Sequence, residues 1–159
     1  MKKYFLYILF FTFIFSACEK DDICLSPTTP SLVLRFYDAT NPSITKTPLN
    51  LSIWAEGKDT LTRYKSVTLD SVYIPLNTNT TQTKYHFKTS ATGNIADNII
   101  NTLTLNYITE DVFVSRSCGL KTVFKEVTIT SDNGWFQSYS PNSITIIDNE
   151  DNAHINIYH

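Results

Sequence analysis

The sequence predicts an all-β protein. The expected architecture is an immunoglobulin-like β-sandwich, with a small antiparallel barrel as the alternative, after a cleaved N-terminal signal. Three observations predict it. Thr, Ser, Asn, Ile, Val, Tyr and Phe are frequent and Gly is scarce, a vocabulary that suits pleated strands. Short runs of apolar/polar alternation recur between turn clusters from residue 31 onward, which is the strand period. No segment after the first 17 residues sustains a helical period. About nine short strands with frequent turns fit a sandwich or barrel. With 159 residues, 42% of them hydrophobic and 18% charged, the chain has the composition of one globular domain rather than of a disordered one.

Residues 1–17 read as a signal peptide. Lys2 and Lys3 precede an apolar run from Tyr4 to Phe15, broken only by Thr12, and small Ser16 and Ala17 follow. Charged, apolar and small regions in that order are the signal pattern. The 12-residue run falls short of the roughly 20 residues a spanning helix needs. Ordinary cleavage after Ala17 would put Phe15 third from the cut, where a small residue is wanted. FSAC resembles a bacterial lipobox instead, with Phe15 where Leu is usual. The resemblance implies that Cys18 becomes the first mature residue and carries a diacylglyceryl group, usually with an N-acyl chain. One acyl chain binds a membrane reversibly, whereas two or three anchor a protein stably. Loss of Lys2 and Lys3 with no acid takes the net charge from −2 to −4. That balance gives nucleic acid no basic face to bind.

Residues 18–30 then form the lipidated Cys and a tether, and residues 31–159 a single β domain. Glu19, Lys20, Asp21 and Asp22 suit a solvated tether. Lys20, Asp21 and Asp22 also resemble an export signal that takes lipoproteins of Bacteroidota to the cell surface. The expected address is the bacterial outer membrane, with the periplasmic and surface faces both open. If Cys18 carries lipid, Cys24 and Cys118 remain as an even pair in an oxidising compartment, where a disulfide is expected. Two buried free thiols are the alternative.

Along the domain, Ser26 to Ser31 is a Pro-marked linker. Leu32, Leu34 and Phe36 share one face of a first strand. Residues 38–43 are a turn cluster. Leu49, Leu51, Ile53 and Ala55 share a face of the next strand, and Trp54 points the other way. Thr60 to Tyr64 reads as a short strand. From Val67 to Leu76 the alternation changes phase near Asp70-Ser71, and Pro75 demotes the segment to an edge or a strand end. Thr81 to Thr89 puts Tyr85 and Phe87 on one face and Lys84, His86 and Lys88 on the other. Ser90 to Asn98 reads as a hairpin turn. Leu103, Leu105 and Tyr107 mark a strand that ends at a tight turn at Glu110-Asp111. Val112 to Ser115 is a short strand leading into Arg116-Ser117-Cys118-Gly119. Lys121 to Thr130 is strand-like with imperfect alternation, and residues 131–135 are a turn. Ile144–Ile147 and Ile155–Tyr158 read as a terminal hairpin around Asp148–Ala153.

Few residues suggest chemistry. His86, His154 and His159 lack a metal-ligand spacing, and His86 belongs on a solvent face. Asp148, Glu150 and Asp151 resemble half a calcium loop without its Gly and alternate spacing, and fit a solvated turn better. No phosphate loop or nucleophile elbow occurs, so no catalytic residue, metal or cofactor is assigned. A hydrolase reading would need Cys118 free beside His86 or His154. The aromatics Trp54, Tyr64, Tyr73, Trp135 and Tyr139 are candidates for a stacking platform, with Trp54 and Trp135 foremost, although core packing explains most aromatics in β proteins.

CEKDD at 18–22, RFYD at 35–38, SRSCG at 115–119 and AHINIY at 153–158 together resemble a family of small Bacteroidota lipoproteins known as a domain of unknown function. The resemblance implies an envelope lipoprotein with a β domain and carries no catalytic residues. The expected role is a lipid-anchored, non-enzymatic interaction or accessory module, held to the membrane by its lipid and meeting an envelope protein or a glycan. A surface glycan-binding module is the alternative, and a hydrolase with an unrecognised site the second.

Overall fold

The computed structural model describes Cys24, residues 29–90, Thr92 and residues 94–159. The signal segment, Cys18 and the Lys20, Asp21, Asp22 motif lie outside the described residues.

Nine strands are present among them: β1 (Leu32–Tyr37), β2 (Ser52–Ala55), β3 (Ser71–Ile74), β4 (Gln82–Ser90), β5 (Asn98–Ser115), β6 (Gly119–Ser131), β7 (Ser138–Ser140), β8 (Ser143–Ile147) and β9 (Ile155–Tyr158). They form a four-stranded sheet, β3-β1-β9-β7, and a five-stranded sheet, β2-β4-β5-β6-β8. The two sheets make a β-sandwich and do not close into a barrel. Strict alternation decides what lies between them. Leu32, Leu34, Phe36, Val72, Ile74, Ile155 and Ile157 of one sheet join Ile53, Tyr85, Phe87, Leu103, Leu105, Val127 and Ile129 of the other in one buried cluster. Each such side chain contributes roughly 1.5–3 kcal/mol by leaving water. β1 runs antiparallel to β3 and parallel to β9.

β5 and β6 are longer than their neighbours. Leu103 to Asn106 oppose Thr128 to Ser131 inside the sandwich, and the ribbon then continues from Ile108↔Lys125 to Ser115↔Gly119. The register shifts between these halves, where Tyr107 faces both Glu126 and Val127 and Glu126 takes a φ of 51°. The extra residue is a β-bulge. It turns the side-chain phase of β6, so that Phe124 and Val127 are both buried. This accounts for the imperfect alternation in the sequence.

Several expectations are corrected. Glu110-Asp111 is not a turn but lies within β5. Glu110, Asp111, Phe113 and Leu120 are all exposed, and the two acids are tolerated within the strand because Glu110 pairs with Lys125 and Asp111 accepts from the Thr122 hydroxyl, although Val123 and Phe124 across from this stretch are buried. Thr60 makes only an isolated bridge to Trp54, and Thr62–Tyr64 is a 3-10 turn that buries Tyr64. Leu49 is 48% exposed rather than inward. β8 and β9 are not a hairpin, since they lie in different sheets and Asp148–Ala153 crosses between them. The short polar strand β7 escaped the sequence reading. The edge position of β3, ending just before Pro75, and the β4–β5 hairpin agree with it.

Candidate binding cleft

One surface cleft grows from a buried polar residue. Asn101 occupies an inward position of β5 and is fully buried. Its Nδ2 donates to the Asp132 carbonyl at 2.8 Å, and its Oδ1 accepts the Phe136 N–H at 2.8 Å. The Thr102 N–H donates to the Asp132 carboxylate at 2.6 Å. These bonds fix the β6–β7 turn against the end of β5. Gly134 makes the approach possible, because a Cβ there would lie 2.4 Å from Asn101 Oδ1 and 2.7 Å from the Ile100 carbonyl.

The turn delivers Trp135 to the end of the sandwich. Its Nε1–H donates to the Phe87 carbonyl at 3.0 Å. Its ring stacks on Phe36 at 5.8 Å and meets Phe136 and His159 edge-on at 4.5 and 5.1 Å. Beside it opens a cleft of about 420 Å³ lined by Lys46, Thr47, Pro48, Leu49, Thr89, Ile99, Trp135 and His159. Leu49 and Ile99 are each 48% exposed on its rim. Polar groups at this end are satisfied internally. Lys46 Nζ donates to the His159 carbonyl at 2.8 Å and pairs with Asp38 at 3.7 Å, while His159 Nε2–H donates to the Lys46 carbonyl at 3.0 Å. Burial holds the His159 imidazole below its ordinary pKa, so it is neutral at pH 7. What faces the cleft is therefore mostly hydrocarbon and aromatic surface.

The opposite end of β4 carries a cleft of about 410 Å³ with a different lining, including Glu56, Lys58, Asn77, Gln82 and Lys84. Lys84 and Glu56 pair at 3.3 Å. Two tyrosines fix the adjoining loop, Tyr85 donating to the Pro75 carbonyl and Tyr107 to the Asn77 carbonyl, at 2.5 and 2.7 Å. Burial, with Tyr107 adding to it, pushes the Tyr85 hydroxyl up to about 12, so it remains a donor.

The structure joins Cys24 to Cys118 in a disulfide, with Cα atoms 4.9 Å apart. Cys118 is therefore no nucleophile in this state. His86 stacks on Trp54 at 5.3 Å on the outer face of the five-stranded sheet, with Nδ1 3.1 Å from Thr102 Oγ1. His154 Nδ1 accepts the Val33 N–H at 2.9 Å, and its own N–H donates to the Val33 carbonyl at 2.8 Å. It thus extends the β1–β9 ladder by one rung. Glu150 accepts the Ser31 N–H, so the acidic segment ties the start of β1 to the crossover. Among the described residues no group of three His, Cys, Asp or Glu could hold a metal ion.

The aromatics do not form one platform. Trp54 lies outside the sheet, Trp135 packs against the core, and Tyr64 is 2% exposed. Tyr139 is half-buried and Tyr73 lies on β3 of the other sheet. Sequence reasoning found Trp135 but missed Asn101, Leu49 and Ile99 as its companions. Asn101 carried a readable signal, being the polar member of the series 101, 103, 105, 107 on the inward face.

Residues 50–159 match the model of a family of unknown function, DUF6452. The chain belongs to this family. The DUF6452 segment takes in β2 to β9, and with them Trp54, Cys118, Trp135 and His159, whereas Cys24, β1 and the Lys46–Leu49 wall of the cleft precede it. No curated protein and no solved structure matches the chain.

Proposed function

We propose that the protein is a lipid-anchored, non-enzymatic module of the bacterial outer membrane that holds an apolar side chain of an envelope protein in the Trp135 cleft. The carrying observation is the cleft itself. An open concavity of about 420 Å³ presents Trp135, Leu49 and Ile99, while its polar neighbours bond to one another. Concave apolar sites with a few fixed polar groups are the default place for binding, and aromatic anchors dominate binding energy. The lipid anchor rests on the FSAC motif at Cys18, and cell-surface exposure on Lys20, Asp21 and Asp22.

Two measurements test this. An intact mass from native membranes should correspond to residues 18–159 plus two or three acyl chains, and an unlipidated mass rejects the anchor. A photo-crosslinking residue at Ile99 should capture one discrete protein in those membranes, with capture abolished by Leu49→Asp and absent from a probe at exposed Lys65. Equal capture from both positions rejects the cleft. Glycan binding that is lost in Trp54→Ala and kept in Leu49→Asp would transfer the function to the half-buried Trp54–His86 stack.

A further inference from the structure

The overhanging half of the β5–β6 ribbon carries an apolar pair that the core does not use. Phe113 and Leu120 face each other directly across the strands and are 65% and 59% exposed. Alternation puts them on the same face as buried Phe124, which lies opposite Thr109, because residues two apart share a face. Arg116 is exposed in the turn beside them, whereas Lys121 and Lys125 project from the opposite face, where Lys121 Nζ donates to the Asp148 carbonyl and Lys125 pairs with Glu110, and Asp111, on the face of Phe113, accepts from the Thr122 hydroxyl. Large exposed apolar side chains paired across two strands beside a cation mark a contact surface.

Chain length indicates what that surface meets. The Cys24–Cys118 disulfide fixes the tether to the turn between β5 and β6. Cys18 precedes Cys24 by six residues, which reach at most about 20 Å when extended. We propose that the tip of the ribbon rests on the lipid headgroup surface, with Phe113 and Leu120 entering the interface and Arg116 meeting anionic headgroups. This rests on the reading that Cys18 carries the lipid. The disulfide then does more than staple a terminus, since it sets the face of the domain that the membrane sees. Both clefts lie along β4, within the sandwich rather than on the ribbon tip.

The test uses the lipidated full chain in vesicles of phosphatidylethanolamine and phosphatidylglycerol, with and without brominated acyl chains. Phe113→Trp should add emission that brominated lipid quenches about twofold, as expected for a ring at the headgroup boundary. Ile108→Trp, on the opposite face of the ribbon, should add emission that is not quenched. Replacing Cys24 and Cys118 together with Ser should abolish the quenching at position 113. An intact mass of the same sample separates the two ideas. Acylated protein with equal quenching at 113 and 108 overturns the membrane contact alone. Protein without acyl chains overturns the anchor and the contact together. Quenching that survives loss of the disulfide overturns the placement by the staple. Capture of a protein by a photoprobe at Leu120, with no lipid quenching at 113, would assign the pair to a protein partner and overturn the proposal.

Discussion

The two ends of β4 hold clefts of nearly equal volume, about 410 and 420 Å³, built in opposite ways. At the Tyr85 end, tyrosine hydroxyls reach out of the core to cap the loop carbonyls of Pro75 and Asn77, and a Lys84–Glu56 pair crosses the rim. At the Trp135 end, the one buried amide of Asn101 holds the turn from beneath, and the rim is Leu49 and Ile99. Hydrogen bonds made outward leave a polar rim, and hydrogen bonds made inward leave an apolar one. Volume alone does not distinguish the clefts, whereas the direction in which the supporting polar groups point does.

Changes at either end should separate them. The largest effect should come from the staple, which acts on neither cleft. Replacing Cys24 and Cys118 with Ser opens a loop with a sequence separation of 94, which the chain-entropy account puts at about 4–5 kcal/mol. Urea unfolding should record that loss while crosslinking at Ile99 persists. Asn101→Leu should follow. It leaves the Phe136 N–H and the Asp132 carbonyl without their partner, and should destabilise by about 3 kcal/mol and abolish capture at Ile99. Gly134→Ala forces the same turn off Asn101 and should cost about 1–3 kcal/mol, again with loss of capture. At the other end, Tyr85→Phe removes a hydroxyl from the Pro75 carbonyl. It should cost about 1 kcal/mol and leave capture unchanged. Asn101→Leu that preserves capture would break the comparison.

The smallest effect is that of pH. Burial lowers the pKa values of His154 and His159. A group depressed in the fold contributes stability above its unfolded pKa and loses it as pH falls. The urea midpoint should therefore drop as pH falls below about 6.5, the ordinary imidazole value, and His154→Gln should flatten that slope. Asp38 is held at about 2, chiefly by the Thr40 hydroxyl and N–H, so its contribution is lost lower, as pH falls from about 4 towards that value.

What the sequence made legible is what alternation encodes. The inward faces of β1 and β4, the edge role of β3 and the hairpin before Asn98 follow from period, Pro and turn residues. Alternation carries no information about which sheet a strand joins, so β8 and β9 looked like a hairpin around a convincing turn segment. It also assumes a core beneath every strand. At Glu110-Asp111 both acids reach the surface and find partners in Lys125 and Thr122, so a strand looked like a turn. Trp135 was readable as a candidate, but its cleft is made by Leu49 and Ile99 from distant connections. Only Asn101, polar in an inward series, announced that the end of β5 is built differently.

The disulfide also fixes a mechanical route. Tension applied to the chain before Cys24 enters the fold at Cys118, at the tip of the β5–β6 ribbon, and not at the start of β1. Without the bond, the same pull would act on Leu32 and could unzip β1 one rung at a time from β3 and β9. With it, the load enters at the turn that joins β5 and β6 and draws both strands the same way, so the rungs that tie them to β4 and β8 are sheared together. The first strand of the sandwich is thereby shielded from any force that reaches it through the tether.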